Sequence, residues 1–106
     1  MSQYGALGEF EHLVLLAVLR HPDGVIGSAI ERELEALAGR RISRGALYSA
    51  LVRLEEKGYL RWEVEGDPPE RGGHPRRRFH VTKDGRGAVT GYQRAIRRLL
   101  EGVTLK

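Results

Sequence analysis

Cysteine is missing from the chain altogether. Its absence removes disulfide bridges, thiolate zinc sites and cysteine nucleophiles together, and it is compatible with a reducing cytoplasm. Long apolar runs are missing too. The longest, residues 13–19, is far short of a membrane span, and no basic segment precedes it as in a secretory signal, so a soluble cytoplasmic protein is expected. The histidines His12, His21, His74 and His80 are scattered, and no His, Asp or Glu pair has metal-site spacing. Gly85 and Gly87 lack the third glycine of a dinucleotide loop. No metal, no cofactor and no enzymatic nucleophile is read from the sequence.

What is present is a short, basic chain. Its 106 residues suffice for one unit with a modest core. Eighteen Lys plus Arg against 14 Asp plus Glu give a formal charge of +4, a balance that permits a polyanionic partner.

The clearest punctuation lies in residues 40–62. Ser43 is a good N-cap and Gly58 stands where a left-handed residue closes a helix, which predicts a helix over about 44–57. Leu47, Leu51 and Leu54 recur at steps of four and three and form an apolar stripe that must pack on something. The opposite face carries Gly45, Ala46, Ser49 and Arg53, flanked by Arg44 and Tyr48, with Arg40 and Arg41 just before it. Small side chains let a helix backbone approach closely, and cationic and phenolic groups reach phosphates, so this face suits the DNA major groove. A solvated helix face with ordinary charges is the bland alternative, and Glu55 and Glu56 show that the far end is not basic.

A first helix over about 8–20 precedes it, with Phe10, Leu13, Val14, Leu16, Ala17 and Leu19 apolar. Its second half is apolar all round, which predicts two buried sides and contact with a second subunit. His21, Pro22, Asp23 and Gly24 read as a tight turn. A second helix starts near Ile26 or Ser28 and runs to about Ala38, with Ile30, Leu34 and Leu37 on one face and Gly39 as its stop. The short gap to Ser43 gives a helix-turn-helix.

After Gly58, residues 59–65 alternate, with Tyr59, Arg61, Glu63 and Glu65 against Leu60, Trp62 and Val64, as in a half-buried strand. Residues 77–82 give the returning strand, with Phe79 and Val81 on one face, and the Gly- and Pro-rich stretch between them is a long hairpin tip. Helix, turn, helix and hairpin make a winged helix. The hairpin divides by charge: residues 63–70 hold four acids and no base, whereas residues 71–78 hold Arg71, Arg76, Arg77 and Arg78 and no acid. Such a run is usually solubility patterning. On a stiff loop beside a candidate recognition helix, phosphate or minor-groove contact is the favoured reading.

Thr82 caps a final helix over about 83–102, in which Val89, Tyr92, Ile96, Leu99 and Val103 form a two-heptad seam. Gly87 and Gly91 each weaken this helix by roughly 1 kcal/mol relative to Ala, so it is expected to form with a partner. Packing of the seam on the chain's own first helix is the alternative. The expected fold class is mainly α, in the α+β sense. A winged helix-turn-helix over 1–82 is followed by a dimerisation helix over 83–106, as one compact unit.

The segments LGEFEHLVLL (7–16), RISRGALY (41–48), LEEKGYL (54–60) and FHVTKDG (79–85) resemble, in order, those of the PadR family of bacterial transcriptional regulators. The resemblance spans about residues 7–87. It implies a dimeric winged-helix protein that binds a pseudo-palindromic double-stranded DNA operator, usually as a repressor, with its last helix packed on the partner's first helix at Phe10, Leu13 and Leu16. DNA contacts would fall on Ser43, Arg44, Gly45, Tyr48 and Arg53 and on the wing near Arg76 and Arg77, with Arg41, Ser49 and Arg78 beside them. Two positions depart from the family pattern: Ser49 stands where proline is frequent, and Phe79-His80 where two aromatics are common. The single short last helix resembles the compact members. A protein-interaction or RNA-binding winged helix is the rival reading, and an inducer, the operator and the regulated genes are not legible.

Overall fold

The computed structural model describes residues 7–66 and 76–106. The expected frayed start, apart from Leu7, and the hairpin tip with Arg71 lie outside the described residues. The elements run α1 (Glu9–Leu19), β1 (Val25–Ile26), α2 (Gly27–Ala38), α3 (Arg44–Glu56), β2 (Leu60–Val64), β3 (Arg77–Val81) and α4 (Lys83–Leu100). The fold is α+β and mainly helical, with a small antiparallel sheet of order β1-β3-β2.

Each helix boundary has a local cause. Ser43 Oγ accepts from the Ala46 amide at 3.1 Å and starts α3. Gly39 (φ 65°) ends α2 with the Arg40 amide returning to Leu34 O, and Gly58 (φ 80°) follows α3 with the Tyr59 amide returning to Leu54 O. The turn after α1 closes through the Gly24 amide to His21 O at 2.9 Å. Gly24 has φ 91°, and a Cβ there would stand 2.6 Å from Arg78 Cγ and from His80 Cε1, so both its backbone and its neighbours require glycine.

Val14, Leu15 and Val18 of α1, Ile30 and Leu34 of α2, and Leu47, Ala50, Leu51 and Leu54 of α3 share one core, closed by Tyr59, Leu60 and Phe79. The final helix is anchored to this core at its start. Thr82 Oγ1 accepts from the Gly85 amide and donates to Gly58 O, and a Cβ at Gly85 would stand only 2.3 Å from Tyr59 O.

Three expectations need correction, and one strand has no counterpart in the sequence pattern. Strand β1 is too short to give a periodicity; Val25 pairs with Phe79 and Ile26 with Arg78. Tyr59 lies before the strand and is buried rather than on its polar face. Leu37, placed on the buried face of α2, is 64% exposed because the helix overruns the core after Leu34. The seam of α4 is divided: Val89 is buried in its own domain and Tyr92 stacks on His12, while Ile96, Leu99 and Val103 are exposed.

Candidate nucleic-acid interface

The amino-terminal half of α3 has an open side. Gly45, Ala46 and Ser49 are exposed, a Cβ at Gly45 would meet nothing within 4 Å, and Tyr48 stands out at their edge. The turns of α3 that carry Leu47, Ala50, Leu51 and Leu54 inward thus leave a surface of little bulk facing outward. Ser43 is exposed, although its oxygen is engaged as the cap.

Beside this surface runs a broad groove. Gly27, Ser28, Glu31 and Arg32 of α2 form one wall, Arg44 and Tyr48 of α3 another, and Arg76 and Arg77 the third, over a floor that includes Leu47 and Phe79. Four guanidinium groups therefore converge on one groove with a single carboxylate, Glu31. Among the described residues none of these four arginines has an ion pair, whereas Arg20, Arg40, Arg41, Arg53 and Arg78 each pair with a glutamate. The first amides of α2, which have no side-chain cap, add partial positive charge to the same wall. A cationic groove with uncommitted N–H donors fits a chain of phosphates.

Sheet register sorts the wing arginines. Trp62 pairs with Phe79, Val64 with Arg77 and Glu63 with Arg78, so residues 77 and 79 share a face and residue 78 takes the other. The Arg77 guanidinium lies over the Trp62 ring at 4.3 Å, and Trp62 Nε1 donates to Glu55 Oε2 at 2.6 Å. On the outer face Arg78 donates to Gly24 O at 3.0 Å and to Asp23 O at 3.3 Å, and pairs with Glu65. Arg78 thus fastens the hairpin to the turn before β1. Nearby, His80 bonds Glu63 at 2.8 Å, and this bond holds the Glu63 carboxyl below its usual range.

Arg53 is likewise drawn away from the open side. Its Nε donates to Glu11 Oε2 at 3.3 Å, and Lys57 Nζ donates to Glu11 Oε1 at 2.8 Å. Glu11 is 5% exposed and also accepts from the Gly8 amide at 2.8 Å. Burial alone would raise its pKa, but the Gly8 bond and the charges of Lys57 and Arg53 outweigh burial and hold it low. One carboxylate thereby ties the start of α1 to the end of α3. Arg41 lies outside the groove lining, 3.7 Å from Glu35 and almost fully exposed.

The groove brings together Arg44, Tyr48, Arg76 and Arg77 from the sequence-expected set and leaves Arg53 and Arg78 elsewhere. It adds Gly27, Ser28 and Arg32, which sequence reasoning missed. The start of α2 follows a strand only two residues long, and without that strand its amides have no predictable direction.

At the other end of the molecule α4 meets α1 through His12. The Gln93 side-chain amide donates to His12 Nε2 at 2.6 Å, the Tyr92 ring stacks on the imidazole, and His12 Nδ1 is buried with no partner among the described residues. Burial lowers the His12 pKa. Among the described residues nothing covers the helix beyond Gln93, and Ile96, Leu99, Leu100, Val103 and Leu105 are exposed. On α1, Phe10, Leu13 and Leu16 are half-buried. Among the described residues no cluster of His, Cys, Asp and Glu could hold a metal ion, and no helix is long and apolar enough to cross a membrane.

The sequence profile described as the Transcriptional regulator PadR-like family matches residues 15–90, more than two thirds of the chain. No curated protein matches it. Among solved structures, a PadR-like transcription factor from Bacteroides fragilis superposes with a TM-score of 0.73 at 24% identity, covering 87% of this chain and 84% of that one. A PadR family transcriptional regulator from Eggerthella lenta gives a TM-score of 0.68 at 26% identity, with coverage of 89% and 81%. One from Clostridium difficile gives 0.70 at 18% identity, with coverage of 89% and 96%.

Proposed function

We propose that this chain, which belongs to the PadR-like family of transcriptional regulators, is a homodimeric repressor that reads a pseudo-palindromic operator in double-stranded DNA. The observation that carries this reading is the groove in which Arg32, Arg44, Arg76 and Arg77 have no ion pair among the described residues, beside the open side of α3. With 13 residues, α3 is about 20 Å long, and its small exposed residues Gly45 and Ser49 let the backbone enter a major groove about 12 Å wide. Tyr48 and Arg44 then flank the entry point. Arg32, Arg76, Arg77 and the first amides of α2 take the phosphates on either side, which fixes the helix in register. Arg53 and Arg78, committed to Glu11 and Glu65, hold the scaffold and are removed from the proposed contact set.

The exposed distal half of α4 supports the dimeric reading. In this reading Ile96, Leu99 and Val103 pack on Phe10, Leu13 and Leu16 of a second copy, and Val89 and Tyr92 serve to fix α4 on its own domain. The functional division therefore falls after Thr82, with DNA recognition before it and assembly after it. Two subunits present two α3 helices, as a palindromic site requires. No effector site is assigned.

The test is fluorescence anisotropy with a duplex selected from a random pool, against single-stranded RNA at matched salt. Preference for the selected duplex, weakened roughly 5- to 150-fold by Arg44→Ala with an unchanged melting temperature, supports the reading. Equal binding of RNA and duplex, or an Arg44→Ala variant that binds like wild type, sinks it.

A further inference from the structure

We infer that Trp62 is a positioning residue for DNA binding, holding the Arg77 guanidinium ready for phosphate, and that Glu55 at the end of α3 sets the angle of the ring. This inference rests on the proposed DNA reading and adds to it a residue that touches no nucleic acid. The guanidinium carbon of Arg77 lies 4.3 Å from the centroid of the indole. A guanidinium stacked on an aromatic face covers its poorly hydrated plane and leaves its N–H edges outward. Among the described residues those edges carry no ion pair, and they border the groove shared with Arg44 and Arg76.

The ring itself is held on two sides. Trp62 is half-buried against the core, and its Nε1–H donates to Glu55 Oε2 at 2.6 Å. Glu55 belongs to α3 and Arg77 to the first position of β3. A short chain of contacts thus runs from the recognition helix through the indole to the base of the wing. An arginine free in solvent loses rotamer freedom when it binds a phosphate. One already stacked on an oriented ring has lost much of it beforehand, and this preorganisation is worth about threefold in affinity per side chain. In a two-winged complex the effect is about tenfold.

The experiment is a double-mutant cycle on the full chain with the selected duplex, read by anisotropy across a salt series. Trp62→Leu should weaken binding about tenfold, Trp62→Phe, which keeps a π face but loses the bond to Glu55, should fall between wild type and Trp62→Leu, and Trp62→Leu combined with Arg77→Ala should bind no worse than Arg77→Ala alone. An additive cycle would mean that Trp62 acts independently of Arg77 and would overturn the inference, as would wild-type binding by Trp62→Leu. Should Trp62→Leu destabilise the fold, a second readout remains, because Trp62 is the sole tryptophan. Its emission should change in Arg77→Ala and not in Arg78→Ala; emission blind to Arg77 would refute the stacking. If Arg77→Ala leaves affinity untouched while emission changes, the stacking survives and the positioning role fails with the wing contact. If Arg44→Ala also binds like wild type, the DNA reading fails as a whole.

Discussion

Replacing Glu11 by Gln should loosen the recognition helix from the rest of the domain, with a pH signature that identifies the cause. The wild-type carboxylate is 5% exposed and satisfied by the Gly8 amide, Lys57 Nζ and Arg53 Nε. Glutamine keeps the shape and can still accept from Gly8, but it removes the negative charge that the Lys57 ammonium, whose side chain is only 22% exposed, and the Arg53 guanidinium both face. Removing one partner of a fully buried pair costs about 3–5 kcal/mol. Because Lys57 and Arg53 keep access to water, about 2–3 kcal/mol is expected here, which lowers the melting temperature by about 10–15 °C in a domain of this size. The native Glu11 pKa is held below its ordinary 4.5, so its contribution is fully present above that value and is lost as pH falls through the native pKa. Thermal melts of the two proteins should differ at pH 7 and converge as pH falls below the lowered native pKa of Glu11. Equal melting temperatures at pH 7, or an undiminished gap in acid, would refute the electrostatic account of how α1 holds α3.

Three further outcomes follow from the same structure. Arg76→Ala with Arg77→Ala should weaken all duplex sequences alike and flatten the log K against log salt slope by about two phosphates per subunit, whereas Arg78→Ala should lower stability and leave the slope unchanged; an altered slope in Arg78→Ala would contradict the sorting by sheet register. Ile96→Glu should sediment as a monomer and lose cooperative binding to a two-half-site duplex, because a carboxylate would be buried unpaired in the proposed interface; a dimer in the ultracentrifuge would move the interface elsewhere. His12 is kept neutral by burial, with its pKa below the ordinary 6.5, so stability from this site is present above about pH 6.5 and is lost as pH falls through the lowered native value. Urea unfolding of wild type and His12→Phe at pH 8 and pH 5 measures that loss, and a midpoint difference between the two proteins that is the same at both pH values would refute it.

Helices were legible wherever a cap residue marked them: Ser43, Gly39, Gly58 and Thr82 all stand at the ends that their chemistry predicts. The winged order was legible from the alternation in residues 59–65 and the basic return strand. What escaped depends on contacts across the chain. Strand β1 exists because β3 offers it an edge, and no two-residue segment announces that. Arg53 and Arg78 are indistinguishable in sequence from Arg44 and Arg77, and only the positions of Glu11 and Glu65 commit them to the scaffold. The seam of α4 has one period throughout, yet its first half meets His12 and the core while its second half runs past them. A heptad pattern reports that a face is apolar, not whose surface covers it.

Amide chemical-shift mapping of the isotope-labelled protein on titration with the selected duplex tests the central claim most directly. Shifts should concentrate at residues 27–32, 44–49 and 76–77, where α2, α3 and the wing base line the groove, with the outer sheet face at Arg61, Glu63 and His80 unaffected. Perturbation of that outer face with a silent amino-terminal half of α3 would contradict the account.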